Sequence, residues 1–284
     1  MLGKALQLAA AGNSTAEEGV LFKDISDYSH VRFNTMGITS GFASQCPFVS
    51  SDGTKFYTLD GSMRLKEYSL STAYDISTAT ATHTITNVGA ANGNDSPTAF
   101  YIKPDGTRLW IGDNDDFLYV WNLSTAWTLS TASYFGRDDM RTPFNSLWQP
   151  FFKPDGTLFM AIDPAIDRVR SISVPTAWDI FSSNPTSSNA SALLDISPIS
   201  ETVPVGMFWS NDGTKVYITG DLRNEIMMWN TDPWDVTDIT GSPDDTLDIS
   251  SIEGTVRGIC FSADGKHMYI AGGSGQGVDQ FVRN

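Results

Sequence analysis

The sequence predicts an all-β chain: a five-bladed β-propeller of four-stranded antiparallel blades, the last blade closed by an N-terminal strand. Three observations carry this reading. A short phrase recurs five times, strand-like runs flank every copy, and the residues left over at the two ends amount to one unfinished unit.

The phrase is Ser51-Asp52-Gly53-Thr54-Lys55, then Pro104-Asp105-Gly106-Thr107-Arg108, Pro154-Asp155-Gly156-Thr157-Leu158, Asn211-Asp212-Gly213-Thr214-Lys215 and Ala263-Asp264-Gly265-Lys266-His267. Successive Asp residues stand 53, 50, 57 and 52 positions apart, a period that signals repeat architecture. Asp-Gly between apolar runs marks a hairpin, because the turn needs positive φ and glycine adopts it without penalty. An apolar pair precedes each phrase (Phe48-Val49, Tyr101-Ile102, Phe151-Phe152, Phe208-Trp209, Cys260-Phe261) and a second apolar run follows it. These runs do not alternate with polar residues, so both faces of each strand are covered, as in sheets stacked around an axis.

A third strand follows in each unit: Leu65–Leu70, Phe117–Leu123, Val169–Val174, Ile226–Asn230 and Val278–Val282. In four units an aromatic then recurs at similar distance (Tyr74, Trp127, Trp178, Trp234), and a weaker fourth strand such as Thr80–Asn87 leads onward. The fifth unit ends after its third strand. Its missing outer strand is expected from Leu21–Phe33, which closes the ring and removes an exposed sheet edge. The expected organisation is therefore an N-terminal arm over residues 1–18 and a propeller over 19–284. The arm, with Met1, Leu2, Lys4, Leu6 and Leu8, is expected to order against another subunit as an attachment peptide.

Composition excludes several functions. Asp and Glu outnumber Lys and Arg by 33 to 18, a formal charge of −15 that argues against binding nucleic acid or an anionic membrane. No apolar run approaches the ~20 residues of a membrane helix. Two cysteines, Cys46 and Cys260, make no disulfide scaffold and belong to no CxxC or His/Cys cluster. They fall in first strands of blades that adjoin at closure and are read as buried thiols.

Candidate sites follow from topology. The turn Asp residues (Asp52, Asp105, Asp155, Asp212, Asp264) are read as backbone acceptors, and Tyr57, Trp110, Tyr217 and Tyr269 as core. In a four-stranded meander, the turn after the second strand and the link into the next blade emerge on one face. That face gathers Asp95, Asp113, Asp115, Asp116, Arg137, Asp138, Asp139, Arg141 and Asp221, which form an acidic rim taken as a partner-binding surface. Its carboxylates suit Ca²⁺, but no Asp-x-Asp-x-Asp-Gly loop is present, so no metal and no cofactor is assigned. The first-strand segments carry no carboxylate, which speaks against a glycosidase built on inward-facing acids.

The phrase Phe-x-x-Asp-Gly-Thr-x-x-(Tyr/Trp), followed by Tyr-Ser-Leu-Ser-Thr-Ala-Tyr-Asp-Ile-Ser or Trp-Asn-Leu-Ser-Thr-Ala-Trp-Thr-Leu-Ser, resembles propeller repeats in structural proteins of marine bacteriophages and related bacterial surface proteins. The opening Met1-Leu2-Gly3-Lys4-Ala5-Leu6 is similar to the start of such phage proteins. The Asp-Gly hairpin alone also resembles TolB-like and lactonase-like repeats. The resemblance implies a non-enzymatic virion component (tail, fibre or capsid surface), multi-copy, contacting other virion proteins and a host-surface glycan or protein. A location on the bacterial cell surface, a lectin-like glycan-binding module and a glycosidase are the alternatives. No catalytic residue is implied.

Overall fold

The structure, a computed structural model, describes residues 24–36, 44–86, 88, 97–183, 190–195, 203–220, 222–235, 237, 241–273 and 277–284. Among these residues, β1 (Tyr28–Asn34) precedes four sheets made of consecutive strands. Blade 1 is β2 (Ser44–Val49), β3 (Lys55–Asp60), β4 (Arg64–Leu70) and β5 (Ala79–Thr86). Blade 2 is β6 (Pro97–Ile102), β7 (Arg108–Asp113), β8 (Phe117–Leu123) and β9 (Ala132–Asp139). Blade 3 is β10 (Trp148–Phe152), β11 (Leu158–Asp163), β12 (Arg168–Ser173) and β13 (Ala190–Asp195). Blade 4 is β14 (Pro204–Trp209), β15 (Lys215–Gly220), β16 (Glu225–Asn230) and β17 (Asp245–Asp248). Blade 5 is β18 (Val256–Phe261), β19 (His267–Gly272) and β20 (Val278–Arg283), with β1 antiparallel to β20 from Tyr28 opposite Arg283 to Asn34 opposite Val278.

The first strands β2, β6, β10, β14 and β18 touch one another in a complete cycle, so the five sheets close into a ring. Second strands read apolar on both faces because each blade lies between two others. Tyr57, Trp110, Tyr217 and Tyr269 are fully buried there, and burying a large side chain stabilises by about 1.5–3 kcal/mol each.

The recurrent aromatic has a specific job. Tyr74, Trp127, Trp178 and Trp234 take φ of +61° to +66°, and each N–H donates to the carbonyl of its hairpin glycine (Gly53, Gly106, Gly156 and Gly213) at 2.9–3.0 Å. Each ring lies flat against that glycine: a Cβ there would come within 2.5–2.6 Å of ring carbons. The glycine is therefore required twice, for its own positive φ and for the contact. A short 3-10 turn follows, burying Ile76, Leu129 or Ile180.

The N-terminal segment completes this pattern as well as the sheet. Residues Ile25–Asp27 form the equivalent 3-10 turn with Ile25 buried, and the strand begins at Tyr28, later than the expected start at Leu21. The Tyr28 hydroxyl donates to the Gly265 carbonyl, so the fifth hairpin is also held by an aromatic. Further ties cross to blade 1: Arg32 pairs with Asp75 and donates to Ser77 at 2.9 Å, and Tyr68 donates to the Met36 carbonyl. His30 Nε2 sits 2.7 Å from Asp279 Oδ1 across the β1–β20 pair.

Neighbouring blades are clasped by polar contacts. Tyr57 and Tyr269 donate to the carbonyls of Trp127 and Tyr74 at 2.6 and 2.7 Å, and Arg108 to that of Trp178 at 3.0 Å. Buried Glu67 accepts from the Leu129 N–H at 2.6 Å, while Lys55 and Thr82 hold its other oxygen at 2.7 and 2.9 Å.

Candidate functional site

The expected rim residues fall into three groups. Asp95, Asp221 and the arm residues Met1, Leu2, Lys4, Leu6 and Leu8 lie outside the described residues. Asp113 is fully buried; its Oδ1 accepts from the N–H groups of Asp115 and Phe117 at 3.1 and 2.8 Å, which closes the β7–β8 turn. Asp60 does the same for the β3–β4 turn while facing Arg64 at 2.9 Å and Lys66 at 3.7 Å. Asp163 accepts from the Asn145 N–H at 2.9 Å and faces Arg170 at 3.3 Å. These carboxylates tie strand ends rather than point to solvent.

The remaining rim residues form one knob on blade 2. Arg137 and Arg141 lie 3.9 and 4.9 Å from the Phe117 ring centre, and Arg141 also pairs with Asp139. Arg141's hydrogen bond and charge hold the Asp139 carboxyl down at about 2. Burial raises Asp138 and Asp116 instead; Asp116 also accepts from the Leu147 N–H at 2.7 Å. That last bond joins the β7–β8 turn to the link into blade 3, so both segments do meet on one face. Among the described residues, no three His, Cys, Asp or Glu side chains converge as a metal set.

The concave site lies at the opposite end of the axis. Four residues before each hairpin Asp, the first strand turns a side chain toward the axis: Phe48, Tyr101, Phe151 and Phe208. Blade 5 has Cys260 at this offset, and Phe261 supplies the fifth ring. The rings follow one another at centroid distances of 5.8, 5.2, 5.6 and 5.0 Å, from Phe48 through Tyr101, Phe151 and Phe208 to Phe261. They line a cavity of about 320 Å³, with Trp127 against one wall. Ser51, Pro104, Pro154, Asn211 and Ala263 frame its mouth, each immediately before a hairpin Asp.

Deeper along the axis, Cys46 Sγ lies 3.6 Å from the side-chain oxygen of Gln149 and from the Phe100 carbonyl. Gln149 sits at a bulge in β10 with φ +46°, which directs its amide to this contact. Burial pushes the Cys46 thiol up to about 11 and Cys260 well above its usual value, so both stay protonated at neutral pH. Cys46 and Cys260 are buried and free, as the sequence led us to expect, on the first strands β2 and β18 that meet at the blade 5–blade 1 junction.

The hairpin acids are turn acceptors, also as expected. Asp52, Asp105, Asp155 and Asp212 each accept from the N–H of the Thr two residues on at 2.9–3.0 Å, and Asp264 from Lys266 at 3.1 Å. Burial alone would raise these carboxyls, but hydrogen bonds from Ser and Thr, and from Lys103 and Lys153 to Asp105 and Asp155, outweigh it and hold all five below the usual range.

No family model and no curated protein matches the chain. Solved structures do. A luciferin-regenerating enzyme is similar over 91% of this chain and 94% of its own, at 12% identity and TM-score 0.54. Regucalcin, a calcium-binding protein from Agrobacterium tumefaciens, is similar over 89% and 93%, at 11% identity and TM-score 0.56. At such identity the likeness is one of fold.

These findings correct the sequence-based expectation of a non-enzymatic virion protein. The similar propellers are an enzyme and a calcium-binding protein, not viral structural proteins. The physical reason lies in the motif itself. In these phrases the Asp and Gly close the hairpin, the aromatic stacks on the glycine, and a 3-10 turn follows. The motif therefore reports how a blade is built and carries no information about a virion.

Proposed function

We propose that the protein handles a small, largely apolar molecule in the aromatic cup at the propeller axis. One observation carries this: about 320 Å³ of space open at one end and walled by six aromatic side chains, at the low end of ligand-pocket volumes. Aromatic walls with few polar groups favour a compact or flat ligand held by burial and ring contacts. The luciferin-regenerating enzyme, a propeller of similar fold, acts in small-molecule chemistry by its name, which supports the same class of role here.

The test uses the mouth. Ala263 is exposed, and Ala263→Trp places a large ring over the opening without touching a buried contact. Aromatic fragments such as indole and naphthol should raise the melting temperature of the wild type and quench its tryptophan fluorescence, and Ala263→Trp should abolish both. Fragments that leave the wild type unchanged, or that act equally on the variant, would refute the cup as the site.

A further inference from the structure

The charge arrangement around the cup narrows the ligand class, and this step rests on the cup being the site. We infer that the cup selects an organic cation with an apolar shell, such as a quaternary ammonium group, over neutral and anionic molecules of the same shape.

Two features combine. The first is the wall. Five rings succeed one another around the axis, and the closest ring of the next blade is never more than 5.8 Å away along the series from Phe48 to Phe261. A ring face attracts a cation within about 6 Å of its centroid, by ~0.5–1 kcal/mol where solvated and ~2 kcal/mol or more where water is excluded. Among the described residues, no charged side chain lines the cavity, so its wall is aromatic and aliphatic.

The second is the mouth. Each of the five framing residues is followed at once by an ionised hairpin Asp, so five carboxylates stand in the turns next to the mouth. Lysines offset three: Lys103 on Asp105 at 2.6 Å, Lys153 on Asp155 at 2.9 Å and Lys266 on Asp264 at 3.9 Å. Asp52 and Asp212 are held by hydroxyls and backbone N–H groups instead: Ser50 and Thr54 on the one, Ser210 and Thr214 on the other. Of the other cations in the turns, Lys55 and Lys215 are paired with Glu67 and Asp24, and Arg108 donates to the Asn122 side chain and the Trp178 carbonyl. Asp52 and Asp212 therefore stand against Arg108, which leaves the turn ring one negative charge in excess, within a protein of net charge −15. An anion entering an apolar cup through such a ring is repelled, and a neutral ligand gains nothing from it. A tetraalkylammonium gains from both ring and wall, and its methyl groups lose little hydration on entry.

The experiment compares three probes of similar size, the first two of one shape, by calorimetry on the full chain. They are benzyltrimethylammonium, its neutral carbon isostere neopentylbenzene, and the anion 4-tert-butylbenzoate. We expect the cation to bind about tenfold more tightly than the neutral isostere, the anion to be weakest, and salt to reduce the cation's affinity. Phe208→Leu keeps the cup apolar while removing a ring, and should weaken the cation several-fold with little effect on the neutral probe. Asp52→Asn should weaken only the cation. Equal affinity for cation and neutral probe would overturn the inference and leave the cup reading intact; no binding by any of the three would overturn both.

Discussion

Replacing Gly213 by alanine tests whether the repeated aromatic locks each hairpin, and Gly241 provides a matched control. Both glycines have positive φ, +74° and +78°. An alanine at either position bears the left-handed penalty of about 1–2 kcal/mol. Among the described residues, only at Gly213 does the new Cβ meet something: ring carbons of Trp234 at 2.5 Å, against nothing within 4 Å at Gly241. Trp234 has little room to retreat. It stacks on Trp209 at 5.7 Å, packs on Phe151 at 6.4 Å, and donates its N–H to the Gly213 carbonyl at 3.0 Å. Overpacking of this kind adds about 1–3 kcal/mol. Gly213→Ala should therefore cost about 2–5 kcal/mol and Gly241→Ala about 1–2 kcal/mol. At roughly 2 °C per kcal/mol for a chain of this length, the melting temperatures should fall by about 4–10 °C and 2–4 °C. Thermal denaturation followed by circular dichroism, repeated with urea, reads both. Equal losses in the two variants would show that the ring adds nothing beyond backbone strain, and the account of the aromatic would fail.

Two further outcomes are expected. Burial, with Glu253 nearby, outweighs His30 and raises Asp279 to about 6, above its unfolded value near 3.9. The folded state then holds its proton longer, so this group's contribution to stability falls as pH rises from about 4 to 6 and is constant above, by up to ~3 kcal/mol. Asp279→Asn should remove that slope from urea midpoints measured between pH 4 and 7.5; an unchanged slope would refute the assignment. Glu67→Ala leaves the buried Leu129 N–H and the Lys55 ammonium without their carboxylate, and should cost about 1–3 kcal/mol, whereas a loss below 0.5 kcal/mol would show the blade 1–blade 2 clasp to be redundant.

Much of the ring was legible in the residues alone. Asp-Gly between doubly apolar runs, repeated at intervals near fifty, leaves few alternatives, and the unfinished fifth unit pointed to its partner strand. Two things were not legible. Tyr74, Trp127, Trp178 and Trp234 read only as a recurrent aromatic, because positive φ in a bulky residue has no signature in composition; their fixed distance behind the hairpin glycine was the available signal. The axial cup was hidden for a different reason. Strands covered on both faces show no alternation, so nothing distinguishes the axis-facing ring from its buried neighbour except the constant offset of four residues before the Asp. Blade 5 breaks even that, with Cys260 at the position and Phe261 beside it. The rim acids illustrate the converse: Asp113 looks like part of a solvent-facing cluster in sequence, yet its oxygen is consumed by two backbone N–H groups in its own turn.

The pairing of β1 with β20 has a consequence for the order of synthesis. Four blades can complete their sheets as they leave the ribosome, whereas β1, made first, must wait for a partner made last. At ordinary elongation rates that interval is on the order of tens of seconds. Throughout it, Val31 and Phe33 ride on a strand with both hydrogen-bonding edges open, and the newborn chain is at its most vulnerable to joining a neighbour rather than itself.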